Sequence, residues 1–77
     1  MATWKEKINE AFEKTGDSWS NVEQSTLSEE DMSEEFGGAF TIWTKDYVYF
    51  PVCYDHLEWI GRVARNPNGL PTEPQGA

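Results

Sequence analysis

The sequence predicts an α+β domain in which an N-terminal helix packs on a three- to four-stranded antiparallel sheet, with a short acidic helix between them in the chain. Two observations carry this prediction. Apolar side chains recur at helical spacing near the N-terminus. Residues 39–63 hold seven of the eleven aromatic residues, and apolar and polar positions roughly alternate there, as in strands.

The first helix is predicted over residues 3–15. Thr3 is a suitable N-cap, Glu6 completes a capping box three residues later, and Gly16 is suited to end the helix. One helical face collects the apolar side chains of this stretch, namely Trp4, Ile8, Ala11 and Phe12. Because so short a helix is marginal in water, we expect this face to pack on the aromatic sheet.

The next stretch is rich in polar and acidic residues. Trp19 and Val22 are the apolar anchors of a short edge strand predicted around residues 19–24. A short helix is predicted over about 28–35, with Ser28 as its N-cap and carboxylates in its first turn. The diglycine that follows at positions 37 and 38 ends this helix and acts as a hinge to the sheet.

Two strands are predicted over residues 39–44 and 47–54, joined by Lys45 and Asp46. This loop lacks the glycine usual in a tight hairpin turn, so the register stays open. A strict two-residue loop places on one face Thr41, Trp43, Val48, Phe50 and Val52. The other face then carries Phe40, Ile42, Tyr47, Tyr49 and Cys53. A bulge of one residue regroups both sets.

A third strand is predicted over residues 57–63 after a tight turn. Leu57, Trp59 and Val63 point one way in this strand, and Glu58, Ile60 and Arg62 point the other way. In the preceding strand, Pro51 lacks a ladder donor and marks an edge position or a bulge. One helix covers only one face of such a sheet, so some aromatic side chains remain for an interface. The candidates are Trp43, Tyr47, Tyr49 and Trp59.

One domain is predicted over residues 1–65, followed by a flexible tail, rich in proline and glycine, over residues 66–77. The single cysteine, Cys53, forms no internal disulfide, and a lone thiol fits a reducing cytoplasm. No apolar run approaches the length of a membrane span, and the charged N-terminus is unlike a signal peptide. Aromatic packing or oligomerisation must therefore stabilise this short chain.

The net charge of −8 argues against direct binding of nucleic acid and against an anionic membrane surface, and it allows a basic protein partner. The charge is concentrated, since residues 1–38 carry ten acids and three bases, whereas residues 39–77 carry four and three. The candidate protein-binding carboxylates are Glu23, Glu29, Glu30, Asp31, Glu34 and Glu35. On a rigid helix they can resemble a row of phosphates; the alternative is a solvated helix face.

The sequence predicts no catalytic site, no metal site and no cofactor. The acidic residues lack the spacing and glycine of a calcium-binding loop. Cys53 and His56 are too few for a structural zinc, and no recognisable third group orients them for nucleophilic chemistry. A buried or half-buried structural cysteine is the alternative.

The stretches FTIWTKDYVYFPVCYD and LEWIGRVARNP, within residues 40–67, resemble small uncharacterised proteins encoded by phages and prophages. TLSEEDMSEEF, residues 26–36, fits the same resemblance. The resemblance implies a class whose members often bind and block a host protein, as DNA mimics and anti-CRISPR proteins do, and it supplies no catalytic residues.

Two functions follow as hypotheses. The first is a non-enzymatic inhibitor or modulator whose acidic surface binds a basic host protein, for instance one that binds nucleic acid. The second is a structural or interaction module that homodimerises through its aromatic sheet.

Overall fold

The computed structural model describes residues 2–35, 37–55, 57–72 and 74. It is an α+β fold, in which an N-terminal helix covers one face of a four-stranded antiparallel sheet with strand order β1-β2-β3-β4. In chain order the elements are α1 (Trp4–Thr15), a 3₁₀ turn (Trp19–Asn21), β1 (Val22–Ser25), α2 (Glu29–Ser33), β2 (Ile42–Thr44), β3 (Tyr47–Tyr54) and β4 (Leu57–Ala64). This architecture confirms the predicted fold class.

Helix α1 forms as its sequence predicts. Both hydrogen bonds of the capping box between Thr3 and Glu6 are present, and Gly16 ends the helix in the left-handed conformation with a φ of 73°. The predicted apolar face is buried against three strand residues and against Phe40, which precedes β2. The resulting core comprises Trp4, Ile8, Ala11, Phe12, Phe40, Ile42, Tyr49 and Ile60.

The predicted edge strand begins later than expected, because Trp19 lies in a 3₁₀ turn and β1 starts only at Val22. The indole of Trp19 packs edge-on against Phe12, with ring centroids 5.1 Å apart, and its Nε1–H donates to Asn9 Oδ1 at 2.6 Å. These contacts hold the turn against α1. The chain is free to become extended only after Asn21.

Helix α2 is shorter than the predicted 28–35. Ser28 caps it as expected, but Glu34 is extended, with φ −81° and ψ 154°. Its carbonyl accepts the backbone N–H of Trp4 at 2.8 Å, and the carbonyl of Gly37 accepts the Trp4 indole N–H at 2.9 Å. The first turn of a helix has unpaired N–H groups. The start of α1 therefore draws the chain out of the helical conformation.

Strand β2 is also shorter than the predicted 39–44, since only residues 42–44 pair with β3 as a strand. The hairpin has the strict two-residue loop, with Ile42 opposite Tyr49 and Trp43 opposite Val48. Without a glycine in the loop, the Thr44 side chain helps to close it, because its Oγ1 accepts the Tyr47 N–H at 3.2 Å.

Strand β3 forms over the predicted residues, and β4 extends one residue beyond its predicted end, to Ala64. The Arg65 N–H donates to the carbonyl of Asp46 at 2.8 Å, which makes this opposed pair a hydrogen-bonded one and sets the phase of the ladder. Pro51 stands opposite Ile60 in a pair of the other kind, so its nitrogen points away from β4. On the other side of β3, the pairing with β2 ends at Tyr49, so no described strand lies where it would need an N–H from Pro51. Pro51 thus lies at a local edge of the sheet, as predicted.

Candidate protein-binding surfaces

The two faces of the sheet have different neighbours. We call the face under α1 the covered face and the opposite one the open face. Directly opposed residues of antiparallel strands share a face, and Trp43 is opposed to Gln24 on one side and Val48 on the other. Continuing the alternation through β3 and β4 gives the eight apolar or aromatic side chains of the open face. They are Trp43, Val48, Phe50, Val52, Tyr54, Leu57, Trp59 and Val63.

The open face lies outside the core. Tyr54 and Leu57 are 53% and 63% exposed, and the other six side chains are half-buried. The partly buried apolar residues that pack against the core are Trp19, Val22, Leu27 and Tyr47, none of which belongs to the open face. In β2, β3 and β4, no Asp, Glu, Lys or Arg side chain points to this face. At one end of the sheet, the Arg65 guanidinium donates to the Thr44 carbonyl at 3.0 Å and forms an ion pair with Glu23 of β1.

The four predicted interface aromatics divide between the faces. Trp43 and Trp59 lie on the open face, whereas Tyr47 and Tyr49 lie on the covered face. Tyr49 is 0% exposed, and its ring packs edge-on against Phe12 with centroids 5.0 Å apart. Its place among the interface aromatics is therefore corrected, because it stands opposite Ile42 under the helix. Tyr47 is half-buried and packs beside Tyr49.

The interface list from sequence also omitted five apolar side chains of the open face, namely Val48, Phe50, Val52, Leu57 and Val63, together with Tyr54. The sequence already contained the information that could have identified three of them. The set of side chains that a strict two-residue loop places with Trp43 already contained the β3 members up to Val52. The ambiguity of the turn kept that register from being chosen.

A polar network lies at one end of the covered face. The Asp17 carboxylate accepts a hydrogen bond from Thr44 Oγ1 at 2.6 Å and another from the Tyr49 hydroxyl at 2.8 Å. Tyr49 thereby uses its single proton, so the Thr15 hydroxyl, 2.7 Å away, is the donor in that pair. The network ties the end of α1 to β2 and β3.

The other oxygen of Asp17 accepts from the Asn21 side chain at 2.8 Å and from the Ser18 N–H at 3.1 Å. Burial by itself raises the pKa of Asp17, but the hydrogen bonds from Thr44, Asn21 and Tyr49 outweigh it and lower the pKa below its usual value. Burial, and to a smaller extent the Asp17 carboxylate, raises the pKa of Tyr49. Asp17 is therefore a structural anion.

The acidic segment, residues 23–35, contains the six predicted protein-binding carboxylates. The fold gives some of them partners within the chain. Glu23 forms an ion pair with Arg65. Asp31 accepts the backbone N–H of Ser28 at 3.2 Å and so completes the cap of α2. Two of the six predicted carboxylates thus have partners within the chain. The remaining four are exposed, and they are Glu29, Glu30, Glu34 and Glu35.

These four glutamates lie on the helix side of the sheet, because α2 packs against α1 and the Glu34 carbonyl is bound at the start of α1. The four glutamates and the open face are therefore on different sides of the molecule. A single flat partner surface would not contact both.

The described residues contain no group of three or more His, Cys, Asp or Glu side chains placed to hold a metal ion. Cys53 is exposed, and its predicted companion, His56, lies outside the described residues. Of the helices in the described part of the chain, none has the length and apolar character to cross a membrane.

Comparison with protein-family models, with curated proteins and with solved structures gives no match for this chain. The surfaces themselves therefore carry the functional argument.

Proposed function

We propose that the chain is a non-enzymatic protein-binding module whose contact surface is the open face. The observation that carries the proposal is the set of eight apolar or aromatic side chains on this face, where β2, β3 and β4 place no charged side chain, in a chain with 26% charged residues. Aromatic and aliphatic side chains without charge are the composition of an interface centre. Trp43 and Trp59 are the residue type most enriched among binding hot spots.

The charge around the open face indicates the chemistry of the partner. The turns at its two ends carry Lys45, Asp46 and Asp55, all exposed, and the whole chain has a net charge of −8. A complementary protein has an apolar centre in its contact surface and a net positive charge. A basic partner of this kind would be steered toward the chain at low ionic strength, and rim charges would contribute mainly to the association rate.

The test compares matched leucine substitutions in the full chain. Leu57 is 63% exposed on the open face, and Leu70 is 73% exposed in the C-terminal segment. The wild-type chain is first used to capture and identify a partner. Titration of that partner should then give at least a roughly tenfold loss of affinity for Leu57→Thr and for Trp59→Thr, because truncated anchors near an interface centre cost this much. Leu70→Thr should bind as the wild type does. If both open-face variants retain wild-type affinity while their circular dichroism is unchanged, the proposal is wrong.

A second candidate is binding of a basic protein by the exposed glutamates of the acidic segment. The four side chains cluster around α2. The negative charges of the glutamates in its first turn interact favourably with the positive end of the helix dipole. Glu29→Gln/Glu30→Gln removes two of these charges without touching the cap. The matched control is Glu10→Gln/Glu13→Gln, which removes two exposed charges from α1.

This candidate predicts weaker partner binding for the α2 pair than for the α1 pair, and a difference that shrinks as salt is added. Equal effects of the two pairs would mean that only net charge matters, and the candidate would fall. Inhibition of a host protein, as the resemblance to phage proteins implies, stays a prediction under either surface.

A further inference from the structure

The asparagines of the chain differ in the residue that follows each of them. An asparagine converts to an aspartate without an enzyme when the backbone nitrogen of the next residue attacks its side-chain carbonyl. The attack is intramolecular, so it depends on whether that nitrogen carries a hydrogen it can lose and can approach the carbonyl carbon. The four asparagines are Asn9, Asn21, Asn66 and Asn68, and the residues after them are Glu10, Val22, Pro67 and Gly69.

Three of these four following residues offer no available nitrogen. The Glu10 N–H lies inside α1 and is hydrogen-bonded within the helix. The Val22 N–H donates to the carbonyl of Trp19 at the end of the 3₁₀ turn. Pro67 has no N–H, because its nitrogen is closed into the proline ring. The asparagines that precede these three residues are therefore blocked from the reaction.

Gly69, which follows Asn68, leaves its nitrogen available. In the described part of the chain, the Gly69 N–H has no hydrogen-bond partner. Asn68 and Gly69 are both exposed to solvent, and no atom lies within 4 Å of the place that a side chain at Gly69 would occupy. Glycine itself adds no bulk beside the nitrogen. Water and the side-chain carbonyl of Asn68 can therefore both reach it.

A hydrogen bond already orients the Asn68 side chain. Its Oδ1 accepts the Leu70 N–H at 2.9 Å, which folds the side chain over the peptide bond between Asn68 and Gly69. The same hydrogen bond draws electron density from the side-chain carbonyl and stabilises the negative charge that develops on Oδ1 during attack. The turn thus both positions and activates the carbon that the Gly69 nitrogen must reach.

We propose that Asn68 is a site of spontaneous deamidation. Hydroxide removes the Gly69 amide proton, and the nitrogen forms a bond to Cγ of Asn68. The bond from Cγ to Nδ2 then breaks, and ammonia leaves with a proton taken from water, which closes a five-membered succinimide ring. Water opens the ring at Cγ to give an aspartate at position 68. Opening at the backbone carbonyl gives an isoaspartate, whose main chain runs through Cγ.

Either product changes the charge of the C-terminal segment. It adds one negative charge to a chain whose net charge is already −8. Asn68 lines a cavity together with Thr15, Asp46 and Tyr47. The new carboxylate and that of Asp46 therefore lie at one cavity, and their like charges repel. The isoaspartate also lengthens the main chain by one carbon and so changes the turn at Gly69.

The test follows deamidation in the full chain during incubation in mildly acidic and mildly alkaline buffer. Trypsin cleaves after Arg65, so one C-terminal peptide contains both Asn66 and Asn68, and mass spectrometry with fragmentation distinguishes them. A sample digested without incubation gives the background. Deamidation should occur at Asn68 and become faster with rising pH, because the Gly69 nitrogen must lose its proton. Asn66 and the two asparagines of the folded domain should stay unchanged.

Gly69→Ala is the matched variant, because it keeps Asn68 and the attacking N–H and adds only a methyl group. It should slow the reaction about tenfold or more, since the methyl group shields the nitrogen and a non-glycine residue rarely adopts the φ of 76° found at Gly69. Gly37→Ala is the control. It makes the same change at another left-handed glycine with open space around it and should leave the rate at Asn68 unchanged.

Four results would overturn the proposal. They are an unmodified Asn68, deamidation of Asn66 at the same rate, a rate that does not rise with pH, and an undiminished rate in Gly69→Ala. The reaction does not depend on the proposed function of the open face. Partner binding by the Leu57 and Trp59 variants is measured separately, so either proposal can fail without the other.

Discussion

The covered and open faces belong to the same three strand pairings but have different neighbours. Both receive apolar side chains, because β3 and β4 are apolar at odd and even positions alike. Only the covered face has a helix to pack against, and it supplies Ile42, Tyr49 and Ile60 to the core. In a chain this short, the position of the helix, rather than the composition of the strands, therefore decides which face of the sheet forms the core.

The distribution of polar groups between the faces is the reverse of that in an ordinary half-exposed sheet. Such a sheet places polar side chains on its solvent side. Here the covered face contains Thr44 and Tyr49 bound to the Asp17 carboxylate, whereas β2, β3 and β4 place only apolar and aromatic side chains on the open face. Polar groups on the covered side fix the position of α1. The apolar side chains of the open face do not contact α1, and the proposed binding function uses them.

The largest expected effect is the contrast between the two faces in a matched tryptophan pair. Trp4→Ala should lower the free energy of unfolding by about 3–5 kcal/mol, because Trp4 is 1% exposed and packs edge-on against Phe40 with centroids 5.2 Å apart. Trp59→Ala, on the open face, should lower it by about 1 kcal/mol. Urea unfolding followed by circular dichroism measures both.

If Trp4→Ala does not fold, Ile8→Val provides the milder test, with an expected loss of about 0.5–1.5 kcal/mol at a side chain that is 0% exposed. A loss for Trp59→Ala as large as that for the core variant would contradict the distinction between the faces. It would mean that the open face is packed in the folded monomer.

The next effect concerns the polar network of the covered face. Asp17→Ala should cost about 2 kcal/mol, since it leaves Thr44 and Tyr49 without their shared acceptor. The pKa of Asp17 is lowered in the folded chain. Its contribution is therefore present above the unfolded pKa of about 3.9 and is lost as the pH falls through the folded pKa.

Asp17→Asn is the control for this pH dependence, because the amide keeps the size of the side chain and cannot carry the charge. The difference in unfolding free energy between wild type and Asp17→Asn, measured in urea at neutral pH and near pH 3, should shrink on acidification. A difference that grows as the pH falls would contradict the direction given for Asp17.

Local rules predicted most of the fold. The capping box at Thr3, the N-cap at Ser28 and the helix end at Gly16 depend on residues near in sequence, and each is formed. The bounds of β3 followed equally from its flanking turns. The ends of α2 and β2 did not follow from local sequence. Long-range hydrogen bonds from Trp4 to Glu34 and Gly37 decide where α2 stops. No local pattern contains that information.

The surfaces were predicted less completely for a similar reason. Sequence reasoning named Trp43, Tyr49 and Trp59 together as interface candidates, because the register was left open, whereas the structure separates Tyr49 from the other two. It also treated every carboxylate of the acidic segment alike. Only the fold distinguishes Glu23, which meets Arg65 from the far end of the chain, from Glu30, which remains exposed.

The next prediction compares the loss of a tyrosine hydroxyl on the covered face with the same loss on the open face. Tyr49→Phe should lower the free energy of unfolding by about 1 kcal/mol, because Asp17 and Thr15 both lose a partner on the covered face. Tyr54→Phe removes the same atom from a residue that is 53% exposed on the open face and should change stability by less than about 0.5 kcal/mol. Equal losses in the two variants, by urea unfolding, would show that the network contributes nothing to stability.

The smallest expected effect is that of substituting Cys53, which lies near one end of the covered face. Cys53 stands opposite Glu58 on the helix side of β3, yet it is exposed, so α1 does not reach this far along the strand. Cys53→Ser should therefore change the free energy of unfolding by less than about 0.5 kcal/mol. Alkylation of the thiol by iodoacetamide should proceed in the folded chain at a rate close to that in urea, as measured by mass spectrometry. Protection of Cys53 in the folded chain would contradict this position of α1.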